Sequence, residues 1–140
     1  MIATISEAGG VALVRSYTRA IVAGDFIAYL KLLRRKYGNT PIALYLDQLQ
    51  VHKARDVRPW YRQLDIMPIL NVGYSPELNA IEAVFSKVKA QFNRNRLNCL
   101  VNKTGFNVER EIRAAFAAIT TKHCAACVRK SLHILDRYVN

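Results

Sequence analysis

The stretch that most restricts the fold is the apolar run Ile42-Ala43-Leu44-Tyr45-Leu46, which has no polar alternation and stops abruptly at Asp47. A β-rich run of this kind predicts a central strand covered on both faces. A second apolar run, Ile66-Met67-Pro68-Ile69-Leu70, predicts another short strand, with Pro68 favouring a place near an edge or end. Between the two, Val57, Trp60, Tyr61 and Leu64 recur at helical spacing and predict a helix over 54–64, with Pro59 in its first turn or at a kink. Strand, helix, strand at this length is a crossover unit, so the two strands are predicted to run parallel.

The flanking segments complete a mixed α/β pattern. Residues 2–7 and 11–17 are short apolar or alternating runs around Gly9-Gly10, which predicts a β-hairpin. After Gly24 the period changes. Asp25 is positioned to cap a helix through Phe26, Ile27, Tyr29, Leu30, Leu32 and Leu33, which ends in Arg34-Arg35-Lys36 and stops at Gly38. Those three cations suit the negative end of a helix, and a solvated helix end explains them better than a DNA contact. A long helix is predicted over 80–97, with Ile81, Val84, Phe85, Val88 and Phe92 on one stripe and Glu82, Ser86 and Lys89 on another. Two more follow, near 106–119 and, through Cys127, Leu132, Leu135 and Tyr138, near 122–138.

A chain of 140 residues is long enough for one domain with a real core. Lys and Arg number 21 against 10 Asp and Glu, a formal charge of +11 that favours a polyanionic partner, nucleic acid first. No stretch approaches the ~18 consecutive apolar residues of a membrane span, and the N-terminus lacks the pattern of a secretory signal. The expected compartment is therefore the cytoplasm, with no membrane partner. Cys99, Cys124 and Cys127 lack a disulfide framework spacing and are expected to be reduced. His123-Cys124-x-x-Cys127 invites a zinc reading, but no second ligand pair has zinc-site spacing.

Asp47 and Glu82, separated by thirty-four residues, are the pair best suited to chemistry. One lies where a buried strand meets solvent, the other in the first turn of a helix. A hard cation such as Mg²⁺ takes one or two carboxylates plus waters and phosphate oxygens. Two such ions about 4 Å apart can activate a water or a 3′-hydroxyl and stabilise the leaving oxygen of a phosphodiester. Two structural alternatives stand beside this. Asp47 can cap the turn that follows it, and Asn79-x-x-Glu82 has the form of a capping box in which Glu82 reaches back to the Asn79 amide.

Leu46-Asp47-Gln48 with His52-Lys53, then Tyr74-Ser75-Pro76-Glu77-Leu78-Asn79-Ala80-Ile81-Glu82 and Phe85-Ser86-Lys87-Val88-Lys89, resemble the second half of a DDE transposase catalytic domain. The resemblance is to the mariner-like superfamily and its bacterial insertion-sequence branch. It implies an RNase H-like (retroviral-integrase-like) α/β fold, a mixed sheet with flanking helices, over 1–140, with a helical C-terminal extension from about 104. It also implies metal-dependent phosphodiester cleavage and strand transfer in DNA transposition, with Mg²⁺ (or Mn²⁺) held by Asp47 and Glu82. Double-stranded DNA at transposon ends and target would be the partner, in a bacterial cytoplasm and at its nucleoid. Lys89, two turns beyond Glu82 on the same helical face, would meet phosphate, with Arg94 and Arg96 extending the basic surface. His52 would touch the edge of the metal site or the DNA. Solvated lysine and structural histidine are the bland alternatives.

This chain departs from the family pattern in three places. Gln48 replaces the usual Asn, Ala80 replaces a Pro at the first helical position, and Leu70-Asn71-Val72-Gly73 replaces a Leu-Pro-Pro, which predicts a looser segment at 71–75. The first of the family's three acids is expected on a strand preceding the hairpin, and that strand is missing here. Glu7 and Asp25, the acids before Asp47, match neither its position nor its setting. The recognition helix-turn-helix is missing as well. The resemblance is therefore to a C-terminal part, which by itself is expected not to cleave efficiently. It could pair with a second copy or with an upstream-encoded transposase part. The rival expectation is a non-catalytic basic DNA-binding or dimerising remnant.

Overall fold

The computed structural model describes residues 1–73 and 75–139, with the side chains of Tyr138 and Val139 left aside. The expectations placed on Tyr74 and on the Tyr138 side chain lie outside the described residues. In chain order the elements are β1 (Ile2–Ser6), β2 (Gly10–Arg15), α1 (Ala23–Tyr37), β3 (Ile42–Leu46), α2 (Gln50–Lys53), α3 (Arg58–Gln63), β4 (Ile66–Leu70), a single 3-10 turn (Pro76–Leu78), α4 (Ala80–Val101), α5 (Val108–Ala117) and α6 (Thr121–Val139). The architecture is mixed α/β, and no helix among the described residues is long and apolar enough to cross a membrane. The chain forms two compact units, one of residues 1–2 and 13–79, the other of residues 3–12 and 80–140.

In the first unit β3 and β4 pair in parallel, with Ile42 opposite Ile66 and Leu46 opposite Leu70, as the crossover pattern predicts. α1 packs on one face of this pair. Its Phe26, Tyr29, Leu30 and Leu33 are buried against Leu44, Leu46 and Ile66, and Val57 and Tyr61 close the same core. Each fully buried side chain of this size stabilises the fold by roughly 1.5–3 kcal/mol relative to exposure.

The other face of the pair is open, which corrects the expectation of a doubly covered strand. Leu44 and Leu46 point into the core, while Ala43 and Tyr45 alternate outward. On β4, Met67 and Ile69 are 60% and 41% exposed. An apolar run therefore does not imply two covered faces, because the outward residues Ala43, Tyr45, Met67 and Ile69 stay exposed here. The single mixed sheet also resolves differently, since the described strands form two separate two-stranded sheets, β1–β2 and β3–β4.

Several boundaries moved for local reasons. α1 begins at Ala23, so Asp25 is not the cap itself. Its carboxylate instead accepts from the Val22 amide at 3.0 Å and pairs with Arg19 at 2.7 Å, and the Arg19 guanidinium holds Asp25 below the usual carboxylate range. α3 is shorter than 54–64 because Pro59 occupies its first turn and Val57–Ala54 forms a turn before it. α4 runs four residues past 97 and stops in a Schellman arrangement: Thr104 N–H donates to Cys99 O at 2.9 Å and Lys103 N–H to Leu100 O. The left-handed residue there is Lys103 (φ 51), not glycine, so the stop carries no glycine signal.

In the second unit α4, α5 and α6 bury Val84, Val88, Ala115, Phe116, Cys124 and Cys127, with Phe85 edge-on to Phe116. Asn107 caps α5 by accepting from the Arg110 amide at 2.9 Å. Gly10 combines a φ of 68 with an approach to Thr121 so close that a Cβ would lie 3.2 Å from its Cα. Glu7 meets Arg129 at 3.5 Å on the surface.

Arg34 contradicts the picture of a solvated helix end. Its guanidinium donates to four backbone carbonyls, those of Leu64 (2.6 Å), Asp65, Gly38 (2.7 Å) and Thr40 (2.8 Å). It thus ties the end of α1 to the α3–β4 corner, where Asp65 takes a φ of 49. Lys cannot reproduce this fork. Arg34→Ala and Arg34→Lys are both expected to lower stability by about 2–3 kcal/mol in urea denaturation, where an exposed cation would change it by less than about 0.5 kcal/mol.

Tyr61 supplies a pH dependence. Its buried hydroxyl donates to the His52 carbonyl at 3.0 Å, and burial pushes its pKa from 10.0 up to about 12. The folded state therefore keeps this proton after the unfolded chain has lost it. The associated stability is full below pH 10 and is lost as pH rises toward 12. Urea midpoints at pH 9 and 11.5 are expected to fall further apart in the wild type than in Tyr61→Phe.

Candidate active site around Asp47

The core places Asp47. Leu44 and Leu46 are held inward by α1, so the chain leaves the sheet directly after Leu46 and Asp47 emerges at the carboxyl end of β3, the end at which open α/β sheets bind ligands. Its side chain is 35% exposed. Oδ1 accepts from the Leu49 amide at 3.1 Å, an Asx turn that starts α2. α2 in turn brings His52 round, and His52 Nδ1 lies 2.9 Å from the same Oδ1. The capping alternative is therefore realised, and it occupies one oxygen. Oδ2 has no hydrogen bond among the described residues.

His52 does not face outward toward a nucleic acid. Its side chain is only 11% exposed, its ring packs on Phe26 with centroids 4.6 Å apart, and Nδ1 also lies 3.3 Å from the Asp47 carbonyl. The polar contacts of its ring among the described residues are with Asp47. Gln48 beside Asp47 receives Lys53 Nζ on Oε1 at 2.9 Å and donates its amide to the Asn71 carbonyl.

Glu82 belongs to the second unit, in the first turn of α4, and is exposed with no side-chain hydrogen bond or ion pair among the described residues. The capping box expected for it is not formed. The Asn79 amide donates instead to the Pro76 carbonyl at 3.0 Å, because the 3-10 turn before α4 already satisfies it. On α4, Glu82, Ser86, Lys89, Asn93 and Arg96 follow the spacing of one helical face, and all are exposed. Arg94 is exposed about a third of a turn away from that stripe. Val84 and Val88 form the opposite, buried side.

The chain also matches the model of the DDE superfamily endonucleases over residues 1–101. It belongs to that family. No curated protein matches the chain. Family membership implies a DNA substrate, and endonucleases of this superfamily generally use divalent metal ions. Among the described residues no group of three or more His, Cys, Asp or Glu side chains could together hold a metal ion. Asp47 nonetheless fits such an ion as a single donor, since it is a hard oxygen ligand on a partly exposed side chain whose hydrogen bonds among the described residues fall on Oδ1.

His123, part of the zinc motif, has another task. Thr120 Oγ1 accepts from the His123 amide at 3.2 Å and His123 Nδ1 from the Thr120 amide at 3.3 Å, a reciprocal cap that opens α6. Cys124 is fully buried, and burial pushes its thiol pKa up. Two residues escaped the sequence reading, Asn71 and Arg34. The signal for Asn71 was there, an amide at the end of the apolar run 66–70.

The packing of His52 predicts a measurable cost. His52→Ala is expected to lower stability by about 1–3 kcal/mol in urea denaturation, through the lost ring contact and the freed carboxylate. A change below about 0.5 kcal/mol would mark His52 as a surface residue.

Proposed function

We propose that the chain carries catalytic-domain sequence of a DDE transposase of the mariner-like superfamily, bacterial insertion-sequence branch, with an RNase H-like fold. The observation that carries this reading is Asp47 at the carboxyl end of β3, its Oδ1 held by the Leu49 amide and by His52, inside a family match that stops where α4 ends. Residues 1–140 then form one catalytic domain whose helical extension begins near 104.

In this reading Asp47 and Glu82 hold Mg²⁺ or Mn²⁺. A bound ion there supplies Lewis-acid polarisation of a phosphodiester oxygen and an acidified water or 3′-hydroxyl. The chain's own residues supply placement. Leu49 and His52 orient the Asp47 carboxylate, and α4 presents Glu82 at the start of a stripe whose Lys89 and Arg96 meet phosphates, with Arg94 beside it. The partners are duplex DNA at transposon ends and target, and a second copy of the chain or an upstream-encoded transposase part. The reaction is phosphodiester cleavage followed by strand transfer, carried by electrostatics and in-line positioning rather than by a covalent protein nucleophile.

Two measurements test this. Asp47→Ala and Glu82→Ala are each expected to weaken Mn²⁺ binding, read by titration calorimetry, about tenfold or more, and unchanged affinity in both would overturn the metal assignment. Lys89→Ala and Arg96→Ala are each expected to lower the magnitude of the salt dependence of duplex binding by about 0.9 in log–log slope, the counterion release of one phosphate contact.

A further inference from the structure

Asn71 makes hydrogen bonds through its main chain and its side chain beside Asp47, and the reaction described above gives it no role. It is 5% exposed. Its amide donates to the Leu46 carbonyl at 2.7 Å, extending the β3–β4 ladder by one step beyond Leu70. Oδ1 accepts from the Tyr45 hydroxyl at 2.6 Å, Nδ2 donates to the Ser75 carbonyl at 2.8 Å, and the Asn71 carbonyl accepts from Gln48 Nε2. The Ser75 carbonyl also accepts from the Leu78 amide at 3.2 Å, which closes the 3-10 turn before Asn79.

Every polar group of Asn71 is thus used, and the partners fall into two sets. Tyr45, Leu46 and Gln48 immediately flank Asp47, while Ser75 begins the segment that leads into α4. The expected looseness of 71–75 does not hold at its first residue. Two of this chain's departures from the family pattern, Gln48 and Asn71, bond to each other.

We propose that Asn71 is a positioning residue: it clamps the Asp47 turn to the Ser75 carbonyl, and so sets the orientation in which Asp47 meets a divalent cation. The proposal rests on Asp47 as a metal ligand. The chemistry requires an amide specifically. An Asp at 71 would face the Ser75 carbonyl with a second acceptor, and an apolar residue would take away the acceptor of the Tyr45 hydroxyl and leave the Ser75 carbonyl with the Leu78 amide alone.

The test combines hydrogen exchange with Mn²⁺ titration on the full chain. Asn71→Ala and Asn71→Asp are expected to speed exchange of the Leu78 and Asn79 amides about tenfold, the scale of one or two lost hydrogen bonds. Exchange in α1 should stay unchanged. Mn²⁺ affinity is expected to fall about fivefold or more in both, while Tyr45→Phe, which keeps the Ser75 bond, falls less. Asn71→Ala with Mn²⁺ affinity within about twofold of wild type, where Asp47→Ala reduces it, would overturn the proposal. Should Asp47→Ala itself leave Mn²⁺ binding unchanged, Asp47 fails as a metal ligand on its own, and unchanged exchange at Leu78 and Asn79 in Asn71→Ala would then refute the clamp separately. If Asn71→Ala does not fold, Gln48→Ala breaks the clamp from the other side and is held to the same two readouts.

Discussion

The first unit depends on one packing event, the burial of the α1 stripe Phe26, Tyr29, Leu30 and Leu33 against the inner face of β3 and β4. Strand side chains alternate, so placing Leu44 and Leu46 inward leaves the next residue at the sheet margin. Asp47 is that residue. Phe26 has a second task in the same contact, since the ring that fills the core also backs His52, and His52 holds Asp47. Core and site therefore share a side chain, and disturbance of one reaches the other.

Around this core the polar work is done by groups that look solvated in the sequence. Arg34 reads as a helix-end cation and proves to be a staple of four carbonyls. Asn71 reads as a loop residue and proves to be a buried hub. Both satisfy main-chain groups at corners where the backbone turns away from regular pairing. A corner of that kind must bring in side-chain donors and acceptors, because buried peptide groups left without partners are costly. Which residue it brings in depends on reach, and reach is a property of the folded chain.

The open face of the β3–β4 pair shows the limit of pattern reading in the other direction. Ile42–Leu46 is apolar at every position, and such a run is consistent with two covered faces or with one. Only the inward set is covered here, while Tyr45 on the outward set turns its hydroxyl to Asn71. Periodicity can state that a strand lacks alternation. It cannot state how many layers pack upon it.

The sequence by itself determined the parallel crossover, the amphipathic α1 and α4, the acid at the strand end and the family, because these rest on periodicity, turn chemistry and contiguous motifs, all local along the chain. The spacing of Glu82, Ser86 and Lys89 on one face of α4 was equally legible. Only the tertiary structure decided that His52 turns inward to Asp47, that the Asn79 amide serves Pro76 rather than Glu82, and that Gln48 and Asn71 join. Each of these is a choice among several partners within hydrogen-bond reach, settled by which groups the core brings within about 3 Å of one another.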